Sequence, residues 1–572
     1  MSRRRIAAAL LCSLLFANLP TSARQTNAPA QTAPAQPGAQ TTPTPDPNDP
    51  VQRIKDEGMN RSQVMKTLNY LTNVIGPRLT GSPGMKRANE WTRERLAEWG
   101  LANAHLEAWG PFGRGWVLKR FSAEVVEPQA IPLFAYPKAW SPATAGPIAA
   151  EVVYVGATNE QELQKYKGTL RGKIVLNGPV RDLKAHFDPD ATRANEKQLL
   201  DLANEPDPST RPPRRPPPGT PDFRAAAAFN ARKMSFYQDE GVALLVDPSR
   251  GDDGTIFVQQ AAVPQPAPAN PNAPAFGPNA PRRIQPWDKD APRIAPQMVL
   301  SIEQYNRVAR MLDAGEHVRM SVNLDAQFLD QDPMAYNTVA EIPGSDLKDE
   351  VVMLGGHMDS WHGGTGATDN GAGVAVALEA VRILKALNLQ PRRTIRVALW
   401  SGEEEGLLGS RAYVEQHFGK LETPANQPPP TSAVPPTRAT LSTKPEYEKF
   451  DAYFNLDNGT GRIRGVYMQG NDALRPVFRQ WLAPFADMGA QTLTLANTGS
   501  TDHISFDSIG LPGFQFIQDE IDYSARTHHS TQDTYERIQE DDLKQAAVIM
   551  AAFVYQTATR DEKLPRKPAP GR

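Results

Sequence analysis

Hydrophobic residues recur with two different spacings in this chain. From Asn337 onward, short apolar runs alternate with longer segments in which apolar residues recur every three or four positions. The short runs predict strands and the longer segments predict amphipathic helices. The predicted strands are 350–354, 394–400, 452–456 and 513–517, and the predicted helices are 371–387, 473–489 and 541–560. This alternation predicts an α/β fold with a mixed, largely parallel sheet sandwiched by helices.

The residues before Asn337 follow another pattern. Helical spacing over 62–71 and 85–99 flanks the loop Gly76–Pro83. Between about 126 and 330, short apolar runs predict strands, and proline-rich segments separate them. These strands are 151–155, 172–176 and 243–246, and the proline-rich segments are 205–221 and 261–281, with a third at 424–436. We expect a β-rich domain with long surface loops over 126–330.

The N-terminal residues predict export. Three arginines precede an apolar run over residues 6–17, and small residues up to Ala23 offer a cleavage site, which together predict a signal peptide over 1–23. Residues 24–50 are rich in Ala, Pro, Thr and Gln and predict a disordered linker. The only cysteine, Cys12, lies inside the signal, so the mature chain has no disulfide or thiolate ligand. We expect a periplasmic or secreted protein with no membrane anchor in its mature form.

Composition narrows the range of partners. The chain has 572 residues, a formal net charge of -2 and a sequence pI near 6.5. This length allows two or more domains and a large core. The near-neutral balance provides no basic field for nucleic acid. We therefore expect no nucleic-acid partner, and the sequence leaves the oligomeric state open.

Side chains of the metal-ligand type stand at the ends of predicted strands, at the start of a predicted helix and in a polar loop. They are His357, Asp359, Asp369, Glu403, Glu404, Asp457 and His529. We expect them to meet, because ligand sites of parallel sheets lie at the carboxyl ends of the strands. Imidazole and carboxylate donors suit zinc and its neighbours. A carboxylate that bridges two ions creates a clamp for water activation, so the set predicts a two-metal hydrolase.

Each residue also has an ordinary structural explanation. Asp369 lies in an Asp-Asn-Gly turn and fits a helix cap. Glu403 to Glu405 fit the exposed first turn of a helix, where acidic side chains complement the helix dipole. A histidine in a polar loop is usually inert, and His528 beside His529 leaves the choice between them open. The combination of these residues favours the metal site.

Five motifs resemble those of the M28 family of co-catalytic zinc exopeptidases. They are Gly355–Trp361, Gly366–Gly373, Gly402–Ser410, Asn455–Asp457 and His529–Thr534. The segment Val74–Pro83 is most similar to the carboxypeptidase Q-like and bacterial exported aminopeptidase branch. Residues 126–330 resemble the protease-associated (PA) domain that is inserted in many members.

The resemblance implies a zinc exopeptidase fold with a PA-like insert. It spans about residues 51 to 560 and implies four segments: an N-terminal part of the peptidase domain over 51–125, the insert over 126–330, the main part over 331–562 and a flexible tail over 563–572.

The resemblance also implies two zinc ions and a ligand set for each. His357 and Asp457 would hold one ion, Glu404 and His529 would hold the other, and Asp369 would bridge them. The substrate it implies is a peptide.

Catalytic roles follow from the same resemblance. Glu403 would be the general base, taking the proton of the attacking water and passing it to the leaving amine. Asp359 would orient His357. The group that stabilises the oxyanion is open between His528 and Tyr523. His503, in a recurrent Asp-His element, is expected to pack rather than to contact substrate.

The predicted function is a secreted or periplasmic dizinc exopeptidase, most simply an aminopeptidase. Carboxypeptidase or dipeptidase activity is the alternative within the family, with Arg526 either anchoring a substrate α-carboxylate or pairing with a nearby acid. A receptor-like binding protein without catalysis is less compatible with a complete set of ligands. A one-zinc glutaminyl-cyclase-like acyltransferase is disfavoured by that set and by the insert.

Overall fold

The computed structural model describes residues 46, 48–210, 223–266, 282–422 and 439–568. The predicted signal peptide, most of the predicted linker, much of the proline-rich segments and the last four residues of the tail lie outside the described residues. Residues Pro47–Arg572 group into one compact unit. None of the helices in the described part is both long and apolar enough to cross a membrane.

The described residues form strands and helices in two groups. The strands are β1 (Ala102–Trp109), β2 (Gly115–Glu127), β3 (Ile131–Pro132), β4 (Ala135–Pro137), β5 (Ile148–Tyr154), β6 (Ile174–Leu176), β7 (Leu244–Pro248), β8 (Gln297–Leu300), β9 (Arg319–Leu329), β10 (Ala335–Ile342), β11 (Leu347–His357), β12 (Arg393–Trp400), β13 (Gly419–Glu422), β14 (Thr440–Thr443), β15 (Phe450–Asn455), β16 (Ile463–Tyr467), β17 (Thr492–Thr494) and β18 (Gly513–Gln518). The α-helices are α1 (Pro50–Asn60), α2 (Val64–Asn69), α3 (Pro83–Glu98), α4 (Glu160–Leu163), α5 (Glu196–Ala203), α6 (Phe223–Glu240), α7 (Ile302–Asp313), α8 (Ala372–Ala386), α9 (Leu408–His417), α10 (Arg475–Leu482), α11 (His503–Asp507) and α12 (Glu540–Thr559).

The first sheet has eight strands in the order β1-β10-β12-β11-β15-β18-β16-β17. Its centre, β12-β11-β15-β18, is parallel, and antiparallel pairs flank it on both sides. Side chains of β11 alternate between two cores: Val352 and Leu354 pack on one face, and Val351 and Met353 pack on the other. The predicted α/β fold with a mixed, largely parallel sheet is confirmed.

Helices cover both faces of this sheet. The buried helices α8 and α12 pack on one face together with α1 and α2, while α9 and α11 pack on the other. The predicted helix 473–489 is wrong in extent, because α10 ends at Leu482 and gives way to a 3₁₀ turn over Ala483–Met488. Pro484 lies in that turn and has no amide hydrogen to continue the helix.

An ionic cluster lies between α9 and the edge of the sheet. His417 is 2.7 Å from Glu107 and 3.5 Å from Glu446. Burial alone would lower the pKa of His417, but its hydrogen bonds to the two glutamates raise that pKa to about 9.

The second eight-stranded sheet has the order β3-β2-β9-β5-β6-β7-β8-β4. It begins at Gly115, ahead of the expected boundary at 126, and its last strand in sequence ends at Leu329. We call residues 115–329 the inserted module. A short segment of this module contacts the peptide that carries His529: the Val258 amide donates to the His529 carbonyl at 3.0 Å.

Candidate active site

Parallel strands bring the predicted ligands to one edge of the first sheet. His357 is the last residue of β11, and Asp457 is the second residue after the end of β15. Glu403 and Glu404 lie in the turn that follows β12. The close approach of the strands requires glycine at 355, because a Cβ there would lie 1.9 Å from the Ala398 carbonyl oxygen.

Asp369 lies between two histidines just before α8. Its Oδ1 is 3.3 Å from His357 Nε2, and its Oδ2 is 3.3 Å from His529 Nε2. The Asp369 amide donates to the Asp533 carboxylate at 3.2 Å, and this hydrogen bond holds the loop that carries Asp369 in place. Asp369 is thus the residue that the two halves of the cluster share.

The remaining ligands fall on opposite sides of Asp369. His357 Nε2 is 3.2 Å from Asp457 Oδ1, and His529 Nε2 is 3.0 Å from Glu404 Oε2. The structure therefore brings the five residues together, in the two pairs that the family resemblance implies. His528, left open as an alternative, is farther away, with its Nε2 3.8 Å from Asp369 Oδ2.

The two predicted catalytic residues lie beside His357. Glu403 Oε2 is 4.0 Å from His357 Nε2, and the Glu403 side chain is 10% exposed. His357 Nδ1 is 3.1 Å from the main-chain carbonyl of Asp359 and 3.5 Å from its carboxylate. The main-chain oxygen is therefore the closer acceptor for the Nδ1 hydrogen. The Asp359 carboxylate accepts from Thr80 and from the Glu404 amide, each at 3.2 Å.

Burial and mutual repulsion perturb these groups strongly. Burial raises the pKa of Glu403 and of Glu404 well above the ordinary value, and neighbouring carboxylates add to the effect. Burial would also raise the pKa of Asp369, but hydrogen bonding by His357 and the charge of His529 lower it overall. Burial would lower the pKa of His357, but the Asp457 and Glu403 charges hold it well above its usual range. Carboxylates packed this closely need a compensating cation or protons.

The donor atoms fit divalent cations. Asp369 Oδ2 and Glu404 Oε1 are buried and accept no hydrogen bond within the described structure. The groups His357–Asp369–Asp457 and Asp369–His528–His529 each bring their ligand atoms within 4.8 Å of one another. Imidazole nitrogen and carboxylate oxygen together are the donors of zinc sites.

Three residues that support the cluster were not predicted from the sequence. Arg78 is fully buried, and its guanidinium donates to four main-chain carbonyls, including those of Met358 and Gly366. Thr80 donates to Asp359 and accepts from an amide near Glu404. Both belong to the loop Gly76–Pro83, whose sequence stood out only through its family resemblance.

The third residue, Gln259, comes from the inserted module. Its amide lies 3.0 Å from His529 Nδ1. For His529 to bind a cation through Nε2, Nδ1 must carry the hydrogen, and a half-turn of the Gln259 amide presents its oxygen to that hydrogen. Gln259 and His529 are separated by 270 positions, and no sequence signal links them.

Other residues raised by the sequence lie around the cluster. His503 is buried, its Nε2 donates to the Thr498 carbonyl at 3.1 Å, and burial lowers its pKa to about 4. Arg526 pairs with Asp190 at 2.6 Å. The Tyr523 ring stacks on His528 with centroids 4.8 Å apart.

Comparison with known proteins agrees with this architecture. The sequence profile of peptidase family M28 matches residues 337–554. Carboxypeptidase Q of Mus musculus is 26% identical over 513 residues, which cover 89% of this chain and 88% of that protein.

Two solved structures are similar in fold. A peptidase M28 precursor from Shewanella amazonensis SB2B has a TM-score of 0.60 and 23% identity, covering 91% of this chain and 98% of that chain. A zinc aminopeptidase from Bacillus subtilis has a TM-score of 0.51 and 17% identity, and the match covers 88% of this chain and 97% of that chain. Residues 337–554 therefore form a domain of peptidase family M28, and the similarity to carboxypeptidase Q over 89% of the chain supports a metallo-exopeptidase.

Proposed function

We propose that the protein is a dizinc aminopeptidase that acts on peptides in the periplasm or outside the cell. The observation that carries the proposal is the position of Asp369, whose two oxygens each lie 3.3 Å from a different histidine. His357 and Asp457 would hold one zinc ion, Glu404 and His529 the other, and Asp369 would bridge them. When bound, the two ions supply the Lewis acidity that activates a water and polarises the scissile carbonyl.

The chain's own residues would carry the proton. Among the described residues no side-chain hydrogen bond engages the Glu403 carboxylate, which lies 4.0 Å from His357, so it would take a proton from water and deliver it to the leaving amine. The Asp359 carbonyl would hold the Nδ1 hydrogen of His357 and so present Nε2 to the ion. We prefer the Tyr523 hydroxyl of the two candidates for the oxyanion, because the charges of Asp369 and Asp457 act on it and, together with burial, raise its pKa.

The electrostatics of the cluster favour the amino end of a substrate. Six acidic side chains act on one another there: Asp359, Asp369, Glu403, Glu404, Asp457 and Asp502. Two divalent ions leave this group with an excess of negative charge. Such a site attracts an α-ammonium group and repels an α-carboxylate.

Release of the C-terminal residue is the second candidate, and the similarity to carboxypeptidase Q favours it. A time course on a tripeptide of three different residues, followed by mass spectrometry with and without a chelator, separates the two. We expect the N-terminal residue to appear first and the chelator to abolish its release. Release of the C-terminal residue first would refute the aminopeptidase assignment, and turnover that resists the chelator would refute the metal mechanism.

A further inference from the structure

His186 of the inserted module lies between two carboxylates, and none of the three residues belongs to the cluster at the edge of the first sheet. Its Nδ1 is 3.1 Å from Asp190 Oδ1, and its Nε2 is 3.1 Å from Asp252 Oδ2. The ligand atoms of His186, Asp252 and Asp253 all lie within 4.8 Å of one another. In the first cluster, the distances between the histidines and the proposed ligand carboxylates are 3.0 to 3.3 Å. The group in the module has the same donor types at the same spacing.

Asp190 determines which nitrogen of His186 faces the other two acids. Arg526 donates to Asp190 Oδ2 at 2.6 Å, while Asp190 Oδ1 faces Nδ1 of the imidazole. A neutral imidazole carries a hydrogen on only one nitrogen. When that hydrogen is on Nδ1 and is donated to Asp190, Nε2 presents a lone pair to the Asp252 carboxylate at 3.1 Å. Two acceptors this close repel each other unless a proton or a metal cation lies between them.

The two segments that carry the group are held together by contacts that do not involve it. Asn306 of α7 accepts from the Arg181 amide at 3.2 Å and donates to the Arg181 carbonyl at 2.7 Å. The Arg181 guanidinium donates to the Gly251 carbonyl at 2.6 Å. The loop 181–190 is thereby fixed beside the turn 251–254. A site that is assembled in advance loses less conformational entropy when an ion binds.

The surroundings of the group leave room for an ion and its water ligands. An open crevice of about 430 Å³ adjoins it and is lined by residues 181–188 and Asp252. In the described part of the chain, no arginine or lysine forms an ion pair with Asp252 or Asp253. The side chains of His186 and Asp252 are 38% and 29% exposed, so water can complete the coordination of an ion that has three protein ligands.

We propose that His186, Asp252 and Asp253 bind a divalent ion of the zinc type, and that Asp190 orients the imidazole for it. A carboxylate that takes the other N–H of a ligand histidine is the usual support of such a site. Imidazole with carboxylates selects zinc and its neighbours, whereas calcium takes oxygen ligands. The inference goes beyond the proposed function, since this site shares no residue with the first cluster.

An ion at this position cross-links the loop 181–190 to the turn 251–254. Because Asp190 also binds Arg526, the cross-link extends to the loop that carries His529. The ion therefore has a structural role, in which it holds the inserted module against the peptidase domain.

The test titrates Zn²⁺ by calorimetry into zinc-loaded protein that has been dialysed against metal-free buffer. We expect the wild type to bind an additional ion. His186→Gln and Asp253→Asn should each weaken this binding by at least about 10- to 100-fold, the loss that removal of a supporting partner alone causes. Asp188→Asn is the matched control, because it removes the same charge from the same crevice but no ligand atom of the group, and it should bind like the wild type.

Elemental analysis of the dialysed proteins detects an ion that is held too tightly to be titrated, since the wild type would then retain more zinc than His186→Gln. Asp253→Asn separates coordination from an ionic contact, because His186 forms its hydrogen bonds with Asp190 and Asp252.

Two results would overturn the proposal. If the wild type neither binds nor retains the additional ion, His186 is instead a protonated bridge between two carboxylates, whose hydrogen bonds raise its pKa. If Asp188→Asn weakens binding as much as Asp253→Asn, or if Ca²⁺ competes equally with Zn²⁺, the crevice attracts cations without coordinating one. None of these measurements needs turnover, so their outcome is independent of whether the peptidase assignment holds.

Discussion

Replacing Glu403 by glutamine tests the proposed general base and its electrostatic setting together. Glutamine keeps the size of the side chain but cannot take up the proton of the attacking water. A positioned general base contributes about 10²- to 10⁴-fold to rate, so kcat should fall by that factor, which is about 3–5 kcal/mol of barrier. KM should change little, because the shape of the site is kept.

The same substitution should stabilise the metal-free protein. Burial raises the pKa of Glu403 above its ordinary value of 4.5, and the charges of Asp457 and Asp502 raise it further. A carboxyl group whose folded pKa is raised holds a proton that the unfolded chain has already lost, so its ionisation opposes folding as pH rises above 4.5. Each unit of pH in that window costs about 1.4 kcal/mol for one proton. Metal-free Glu403→Gln should therefore exceed wild type in stability, and the gap should widen from pH 5 to pH 7.

Three measurements decide the outcome: steady-state kinetics, zinc content by elemental analysis, and thermal unfolding of chelator-treated protein at pH 5, 6 and 7. Glu405→Gln is the matched control, because burial also raises the pKa of Glu405 well above its ordinary value. The control should gain stability in the metal-free form and keep its activity. A Glu403→Gln enzyme that retains more than a tenth of wild-type kcat would refute the reasoning. Loss of kcat in the Glu405 variant alone would identify Glu405, and not Glu403, as the general base.

Three further changes have definite expected results. Gln259→Ala should weaken binding of the ion held by His529 by about 10- to 100-fold in chelator competition while the other ion stays bound, and equal affinities would exclude a positioning role. Gly355→Ala should cost about 3 kcal/mol or more in denaturant unfolding because its Cβ would meet a strand carbonyl at 1.9 Å, whereas Gly499→Ala, with no atom within 4 Å, should cost less than about 0.5 kcal/mol. His417→Gln should lose stability at pH 6 and progressively less as pH rises through about 9, where the histidine gives up its charge; a loss independent of pH would contradict the ionic account.

The proximity of the proposed ligands was predictable from sequence because the parallel strands that carry them have clear apolar patterns. His357, Asp457 and Glu404 each follow such a strand, and parallel strands in one sheet present their carboxyl ends to the same edge. The apolar periodicity of α8 and α12 likewise reflects burial, which their almost fully buried side chains show. The closeness of these residues therefore follows from the apolar pattern of each strand and from the rule that parallel strands end at the same edge of a sheet.

Other features depend on contacts that no local pattern encodes. The helix predicted over 473–489 has suitable periodicity, but Pro484 interrupts its hydrogen bonds. Arg78 looks like a surface residue in the sequence, yet its guanidinium is buried among carbonyls of the loops that carry the ligands, some 280 positions away. Nothing in the sequence of a glycine- and proline-rich loop predicts that its arginine is buried and binds the carbonyls of distant loops.

The contacts of the inserted module with His529 show most clearly what the sequence could not predict. They affect the conformation of this proposed ligand, which no local sequence pattern encodes. His529 has φ of +63°, in the left-handed region that costs a residue with a side chain about 1–3 kcal/mol. The Val258 amide holds its carbonyl at 3.0 Å, and the Gln259 side chain holds its Nδ1 at 3.0 Å. A strained histidine persists only where surrounding contacts fix it, and here the module provides both contacts. The sequence motif around His529 predicts which residue binds the ion. The hydrogen bonds from the module hold the loop and so keep the imidazole directed towards Asp369 and Glu404.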